Sequence, residues 1–246
     1  MNLVVGAKQT NFPGWLSTDL RAQGAQLDIR SAADWQRSFA PNSIDKAVAE
    51  HVLEHLTEDE ALAALCNVRS YLKAGGHIRI AVPDAYNPNP TYQEHSRPGG
   101  KGQAWARLLW YGSDEPEHKV HYNFQTLSEL IERAGLTPRL LEYHDASGRF
   151  HRNPWSLSDG PIRRYYNSPY NTQVYQLFHG FQNVSLIVDG VKGRDDSAAD
   201  SRCSIVTTAQ PQHATAPATG CDSTGRLILF GALAVGLYIA VSKQWI

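Results

Sequence analysis

The chain carries no surplus of positive charge: 23 Lys and Arg stand against 24 Asp and Glu in 246 residues. That balance lacks the electrostatic footprint of a nucleic-acid binder, so no nucleic-acid partner is expected. Cysteine is scarce, with three widely spaced residues, Cys66, Cys203 and Cys221. An odd, scattered set does not read as a disulfide framework. It favours a reducing compartment, the cytoplasm, with Cys66 in the core. No internal repeat is visible. Long apolar runs are absent until the tail. The N-terminus opens directly on the strand-like LVVG, which leaves no room for a signal peptide.

What is present is organised around residues 43–84. Ile44 to Ala49 is a short apolar run broken by Asp45 and Lys46, the pattern of a mostly buried strand. Thr57 is a good N-cap, and Glu60 completes a capping box. Leu62, Leu65, Val68 and Leu72 fall on one helical face, and Gly75-Gly76 is the expected stop. His77 to Val82 is a second strand, ended by Pro83. Strand, helix and strand joined this tightly predict a right-handed crossover in a parallel sheet. Ligands of such sheets bind beyond the carboxyl ends of the strands, here Glu50-His51 and Pro83-Asp84.

Shorter strands are expected at Leu3–Val5, Trp15–Thr18 and Leu27–Ile29, and helices at Ser31–Phe39 and Asn123–Ala134. Strands follow at Arg139–Tyr143 and Val184–Val188. Residues 85–120, rich in Pro, Gly and Trp, read as an insertion or lid. From 194 to 225 the composition is that of a disordered linker. The tail 226–246 holds an uncharged, mostly apolar run from Leu227 to Val241. At about 1.5 Å per residue it spans roughly 22 Å, short of a ~30 Å hydrocarbon core. Its isolation behind a polar linker, with Arg226, Lys243 and Trp245 at its ends, still favours a transmembrane anchor over a core helix.

The segments LVVGAKQTNFPGWLSTDL, FAPNSIDKAVAEHVLEHL, VRSYLKAGGHIRIAVPD, HKVHYNFQTLSELIERAGL and NVSLIVDGVK occur in this order. Together they resemble class I S-adenosylmethionine-dependent methyltransferases, specifically small predicted members with a short Pro-Gly-Trp first loop. The resemblance covers residues 3–192. It implies an α/β fold: a Rossmann-like, doubly wound, mainly parallel sheet with helices on both faces, here followed by the hydrophobic C-terminal helix. The 1–193 domain would bind S-adenosylmethionine. Gly6 and its loop would hold the methionine end, Asp19 the ribose, and Asp28 with Ile29 the adenine. Glu50 and His51 would line the reaction pocket, with His51 the candidate base where the acceptor must lose a proton. The first loop departs from the family in lacking a second glycine, and Lys8 and Gln9 stand there instead.

The expected activity is methyl transfer to a small-molecule or lipid-linked acceptor by a membrane-tethered enzyme with its head in the cytoplasm. The competing expectation is a non-catalytic binding or scaffold protein on the same fold. A third reading is remote. His51-Val52-Leu53-Glu54-His55 matches the H-x-x-E-H zinc-hydrolase pattern, but the sequence shows no convincing third ligand, so no metal is expected. Arg149, Arg152, Arg163 and Arg164, interleaved with aromatics, are either a grip for an anionic acceptor or a partly packed surface.

Overall fold

The computed structural model describes residues 1–7, 10–20, 25–102, 117–194 and 203. Of the expected linker 194–225 only 194 and 203 are described, and the tail 226–246 lies outside the described residues, as do Lys8 and Gln9 of the first loop and 103–116 of the insertion. Among the described residues no helix is long and apolar enough to cross a membrane.

The strands are β1 (Asn2–Val5), β2 (Trp15–Ser17), β3 (Ile44–Glu50), β4 (Leu72–Pro83), β5 (Thr137–His144), β6 (Phe150–Arg152) and β7 (Ser185–Val191). They form one sheet in the order β2-β1-β3-β4-β7-β5-β6. The first four are parallel, while β7 runs antiparallel to both β4 and β5. The described α-helices of seven or more residues are α1 (Ala32–Ser38), α2 (Glu58–Tyr71), α3 (Pro90–Ser96) and α4 (Phe124–Arg133); a π-helical turn, Tyr170–Tyr175, runs into the short helix Gln176–His179. Thr57 and Glu60 form the predicted capping box on α2.

Two expectations about boundaries are corrected. Leu27–Ile29 does not form a strand; only Asp19 and Gln26 make an isolated parallel bridge. The α2 helix ends at Tyr71, before the glycines, because Leu72 pairs with Ile44 and opens β4. Gly75 and Gly76 then lie in an irregularity of β4. A Cβ on Gly76 would sit 2.8 Å from the Asp45 carbonyl, so this close pass needs glycine.

Side chains alternate between two faces, as the strand period requires. Ala47, Ala49, Ile78, Ile80, Val82, Leu186 and Val188 join the main core with Trp35 of α1, Leu65 of α2 and Leu127 of α4. Val48, Ala81, Leu141 and Ile187 face the other way, against Ile162, Trp155 and Tyr165. The expectation of helices on both faces is therefore corrected. Helices α1, α2 and α4 share one face, and irregular chain from 153 to 166 covers the other. The link from β1 to β2, residues 6–14, is shorter than the dozen or so residues parallel neighbours ordinarily need, and it carries no helix among its described residues.

Arg79 and Asp189 pair across β4 and β7 on this helix-poor face, both fully buried. Arg79 Nε and Nη2 donate to the two Asp189 oxygens at 2.8 and 3.0 Å. Its Nη1 donates to the carbonyls of Ser156 and Gly160. The guanidinium also lies 4.8 Å from the Trp155 ring centroid. One side chain thus ties sheet and covering segment together.

The cysteine reading is also corrected. Cys66 and Cys203 are joined by a disulfide, with a Cα–Cα distance of 5.5 Å across a sequence separation of 137. Spacing could not disclose a partner that arrives from beyond β7.

Removing one partner of a buried ion pair leaves an uncompensated charge. Asp189→Ala is expected to lower unfolding stability by about 3–5 kcal/mol in urea titration. Arg139 also pairs with Asp189 but is 58% exposed. Arg139→Ala should cost no more than about 1 kcal/mol.

Candidate functional site at the carboxyl rim of the parallel strands

The chain leaves β1 toward β2 on one side and returns as β3 on the other. Strand order therefore reverses at β1, which opens a crevice beyond the carboxyl ends of β1 and β3. Gly6 stands at the exit of β1 with φ +64°, a conformation that favours glycine. A Cβ there would meet Val52 Cγ2 at 2.5 Å, so the turn after β3 packs directly on it. Asp19 follows β2, and its backbone bonds to Ala25 and Leu27 bring the chain back toward Asp28.

Asp28 is committed to Arg30. Its Oδ1 accepts from the Arg30 amide at 3.0 Å and from Nε at 2.9 Å, and its Oδ2 from Nη2 at 2.8 Å. Burial would raise the Asp28 carboxyl, but these bonds and the Arg30 charge hold it below its usual value. Ile29 is core: its side chain is buried and its carbonyl accepts from Trp35 Nε1 and Asn67 Nδ2. Arg30 Nη1 also reaches Glu60 at 2.8 Å, and Lys119 Nζ meets the other Glu60 oxygen at 3.0 Å. Glu60 thus links the Asp28 turn to the chain that returns from the insertion.

Glu50 and His51 leave β3 at the crevice, but both are engaged. The Glu50 carboxylate accepts from the amides of Arg163 and Arg164 at 2.9–3.1 Å. It therefore holds the covering segment rather than an open site. His51 adopts φ +56°. Its Nε2 lies 2.9 Å from Ser185 Oγ, and its Nδ1 lies 2.9 Å from Glu54 Oε1. Burial, then the positive charge of Arg164, lower its pKa against the pull of Glu54. His51 is accordingly a wall residue, with Nε2 engaged by Ser185 and Nδ1 beside Glu54. Asp84 is likewise occupied: Oδ2 accepts from the His144 amide and Nδ1 at 2.8 Å, and Oδ1 from the Tyr86 amide.

Three features escaped sequence reasoning. Glu142 is fully buried and accepts from Trp155 Nε1 and the Tyr166 amide, which anchors the covering segment a second time. Ser185 reaches His51 from the antiparallel strand. His118, at the far end of the insertion, lies beside Glu54 and His55. Glu54 is fully buried; burial raises its carboxyl, but His51, His55 and His118 outweigh that and hold it at about 2. Only the H-x-x-E-H pattern hinted at this cluster, and it named the wrong first histidine.

The arginines do not converge. Arg149 pairs with Asp145 and Arg152 with Glu142, while Arg163 and Arg164 lie over Tyr170. A shallow cleft lined by Arg152, Trp155, Ser156, Leu157 and Tyr165 lies along the covering segment, and none of the rim residues lines it.

No protein-family model and no curated protein sequence matches the chain. Similar solved structures include the CurJ carbon methyltransferase, at 15% identity and TM-score 0.42, over 78% of this chain and 48% of that one. A second is a SAM-dependent methyltransferase from Archaeoglobus fulgidus, at 13% and 0.41, over 78% and 85%. A third is the Burkholderia thailandensis 1,6-didemethyltoxoflavin-N1-methyltransferase, solved with 1,6-didemethyltoxoflavin and S-adenosylhomocysteine, at 14% and 0.40, over 78% and 70%. All three are methyltransferases, the class the sequence resembles. The chain spans about half the length of the first of them.

The Glu60 hub yields a pH prediction. Burial raises its carboxyl, but the Thr57 amide, Lys119 and Arg30 hold it at about 2, against an ordinary 4.5. A depressed folded-state pKa contributes stability above pH 4.5 that is lost as pH falls toward 2. Glu60→Gln should lower stability at neutral pH and flatten its fall across that window, read as urea midpoints at stepped pH.

Proposed function

We propose that this chain is an S-adenosylmethionine-dependent methyltransferase acting on a small-molecule or lipid-linked acceptor. One observation carries the reading: Gly6, Asp19 and Glu50-His51 leave three neighbouring parallel strands at one rim, where the strand order reverses. The residues fit a nucleoside-bearing cofactor at two points. Gly6, at φ +64°, turns the chain at the exit of β1, and Asp19 stands at the end of β2, the position of a ribose-binding carboxylate. At Asp28 the fit requires an adenine amino group to share oxygens that Arg30 now holds.

When bound, the cofactor supplies an electrophilic methyl group on a sulfonium. The protein's task is then mainly in-line positioning of the acceptor. His51, held between Glu54 and Ser185, shapes the wall facing that acceptor. Its Nε2 is engaged with Ser185 Oγ at 2.9 Å, so an acceptor with its own nucleophilic electron pair suits this rim better than one needing a base.

A scaffold role is the second reading, and a specific observation favours it. The carboxylates of Asp28, Glu50 and Asp84 are all satisfied by the protein itself. Calorimetric titration of the full chain with S-adenosylmethionine separates the two. The enzyme reading expects a Kd in the micromolar range, roughly −8 kcal/mol, and at least tenfold weaker binding by Asp19→Ala. A folded chain that takes up no cofactor is a scaffold.

We also propose that the 226–246 tail tethers this head to a membrane. Its deletion should move the chain from the membrane fraction to the soluble fraction, and a full-length chain already in the soluble fraction would exclude the anchor. A head facing the cytoplasm belongs to this proposal, and the Cys66–Cys203 bond is the observation against it. Maleimide labelling in intact cells decides: all three cysteines labelled supports a reducing side, and labelling of Cys221 alone an oxidising one.

A further inference from the structure

We propose that Glu54, His55 and His118 form a binding site for a divalent transition-metal ion of the zinc class. One ligand atom from each residue lies within 4.8 Å of the other two. The carboxylate is the first argument. Glu54 is fully buried, and among the described residues neither of its oxygens has a hydrogen-bond partner. His51 Nδ1 comes within 2.9 Å of Oε1 without hydrogen-bond geometry, and no Lys or Arg pairs with Glu54. A buried carboxylate without donors is costly unless a cation sits beside it.

The histidines are the second argument. His118 Nδ1 lies 2.6 Å from the Ser96 carbonyl and His55 Nδ1 lies 3.4 Å from the Glu117 carbonyl. A carbonyl only accepts, so each Nδ1 donates to it, and Nε2 is the nitrogen that would ligate an ion. Backbone carbonyls orient metal-bound histidines in this way. The two rings meet edge-on with centroids 4.9 Å apart. The backbone holds the set together, because the amides of Lys119 and Val120 both donate to the Glu54 carbonyl. His118 is thereby pinned next to Glu54 although the insertion separates them in sequence.

Donor chemistry selects the ion. Two imidazoles and one carboxylate suit zinc, cobalt or ferrous iron and do not suit calcium or magnesium, which prefer all-oxygen shells. Three protein donors also leave a coordination position open to water or an acceptor oxygen. The site differs from the H-x-x-E-H motif. Leu53–His55 is a single 3-10 turn, not an α-helix, and His51 turns toward Ser185, so His118 takes its place. The proposal needs no cofactor and stands whether or not the chain transfers methyl groups.

The test uses the full chain, purified without a histidine tag. Zinc per chain is measured after dialysis, and affinity by competition with a chromophoric chelator. Cobalt loading adds visible absorption bands. The expected result is one ion per chain and a Tm that rises with zinc concentration. His55→Asn and His118→Asn should each weaken binding at least tenfold with unchanged circular dichroism, and Glu54→Gln should do the same. A folded wild-type chain that binds neither zinc nor cobalt and shows no Tm shift overturns the proposal. Unchanged affinity in either histidine variant places the ion elsewhere and overturns it equally. If the variants fail to fold, the wild-type stoichiometry and Tm shift still decide.

Discussion

The central strands of the sheet carry apolar side chains on both faces, so both must be covered. The sheet is mixed rather than mainly parallel, with three parallel and three antiparallel pairs. Among the described residues the helices α1, α2 and α4 cover one face. On the other, residues 153–166 lie over Val48, Ala81, Leu141 and Ile187 with only the 3-10 turn Leu157–Asp159 as regular structure. Irregular backbone leaves amides and carbonyls that must be satisfied from elsewhere. Three charged side chains supply the partners, Arg79 and Glu142 of them fully buried. Arg79 takes the carbonyls of Ser156 and Gly160, Glu50 the amides of Arg163 and Arg164, and Glu142 the amide of Tyr166 with the Trp155 indole. The rest of the architecture depends on these contacts, since without them half the sheet would face water.

That constraint reaches the rim. Glu50 stands where a pocket-lining carboxylate would stand, yet its oxygens are spent on the covering segment. Asp84 is spent in the same way on His144 and so closes β4 against β5. The rim positions that suit ligand chemistry are fewer than the list of acidic residues suggests: the turn at Gly6, Asp19 at the end of β2, and the cluster of Glu54, His55 and His118. The Glu60 hub lies between these regions, holding Arg30 on one side and Lys119 on the other. A shift at Asp28 would therefore be felt by the segment that carries His118.

Much of the fold was legible because its signals are local. The Thr57–Glu60 capping box, the 123–134 helix and the apolar runs of β3, β4 and β7 each depend on residues a few positions apart. The end of α2 was misread for a related reason. Two glycines are a strong helix stop, but pairing between Leu72 and Ile44 ended the helix first, and that contact is not local. The absence of helices from one face was equally hidden, because a buried strand looks the same whatever covers it.

The sequence by itself determined the strand–helix–strand unit, the parallel character of the first strands, and the residue types that wait at their carboxyl ends. Periodicity and capping write these into neighbouring positions. Only the tertiary structure decided which of those residues are still available. Asp28 met Arg30, Glu50 met the 163–164 amides, Cys66 met Cys203, and His118 arrived beside Glu54 from the far side of the insertion. The physical reason is that satisfying a buried charge or donor depends on what the fold brings within about 3 Å, and sequence distance carries no information about that.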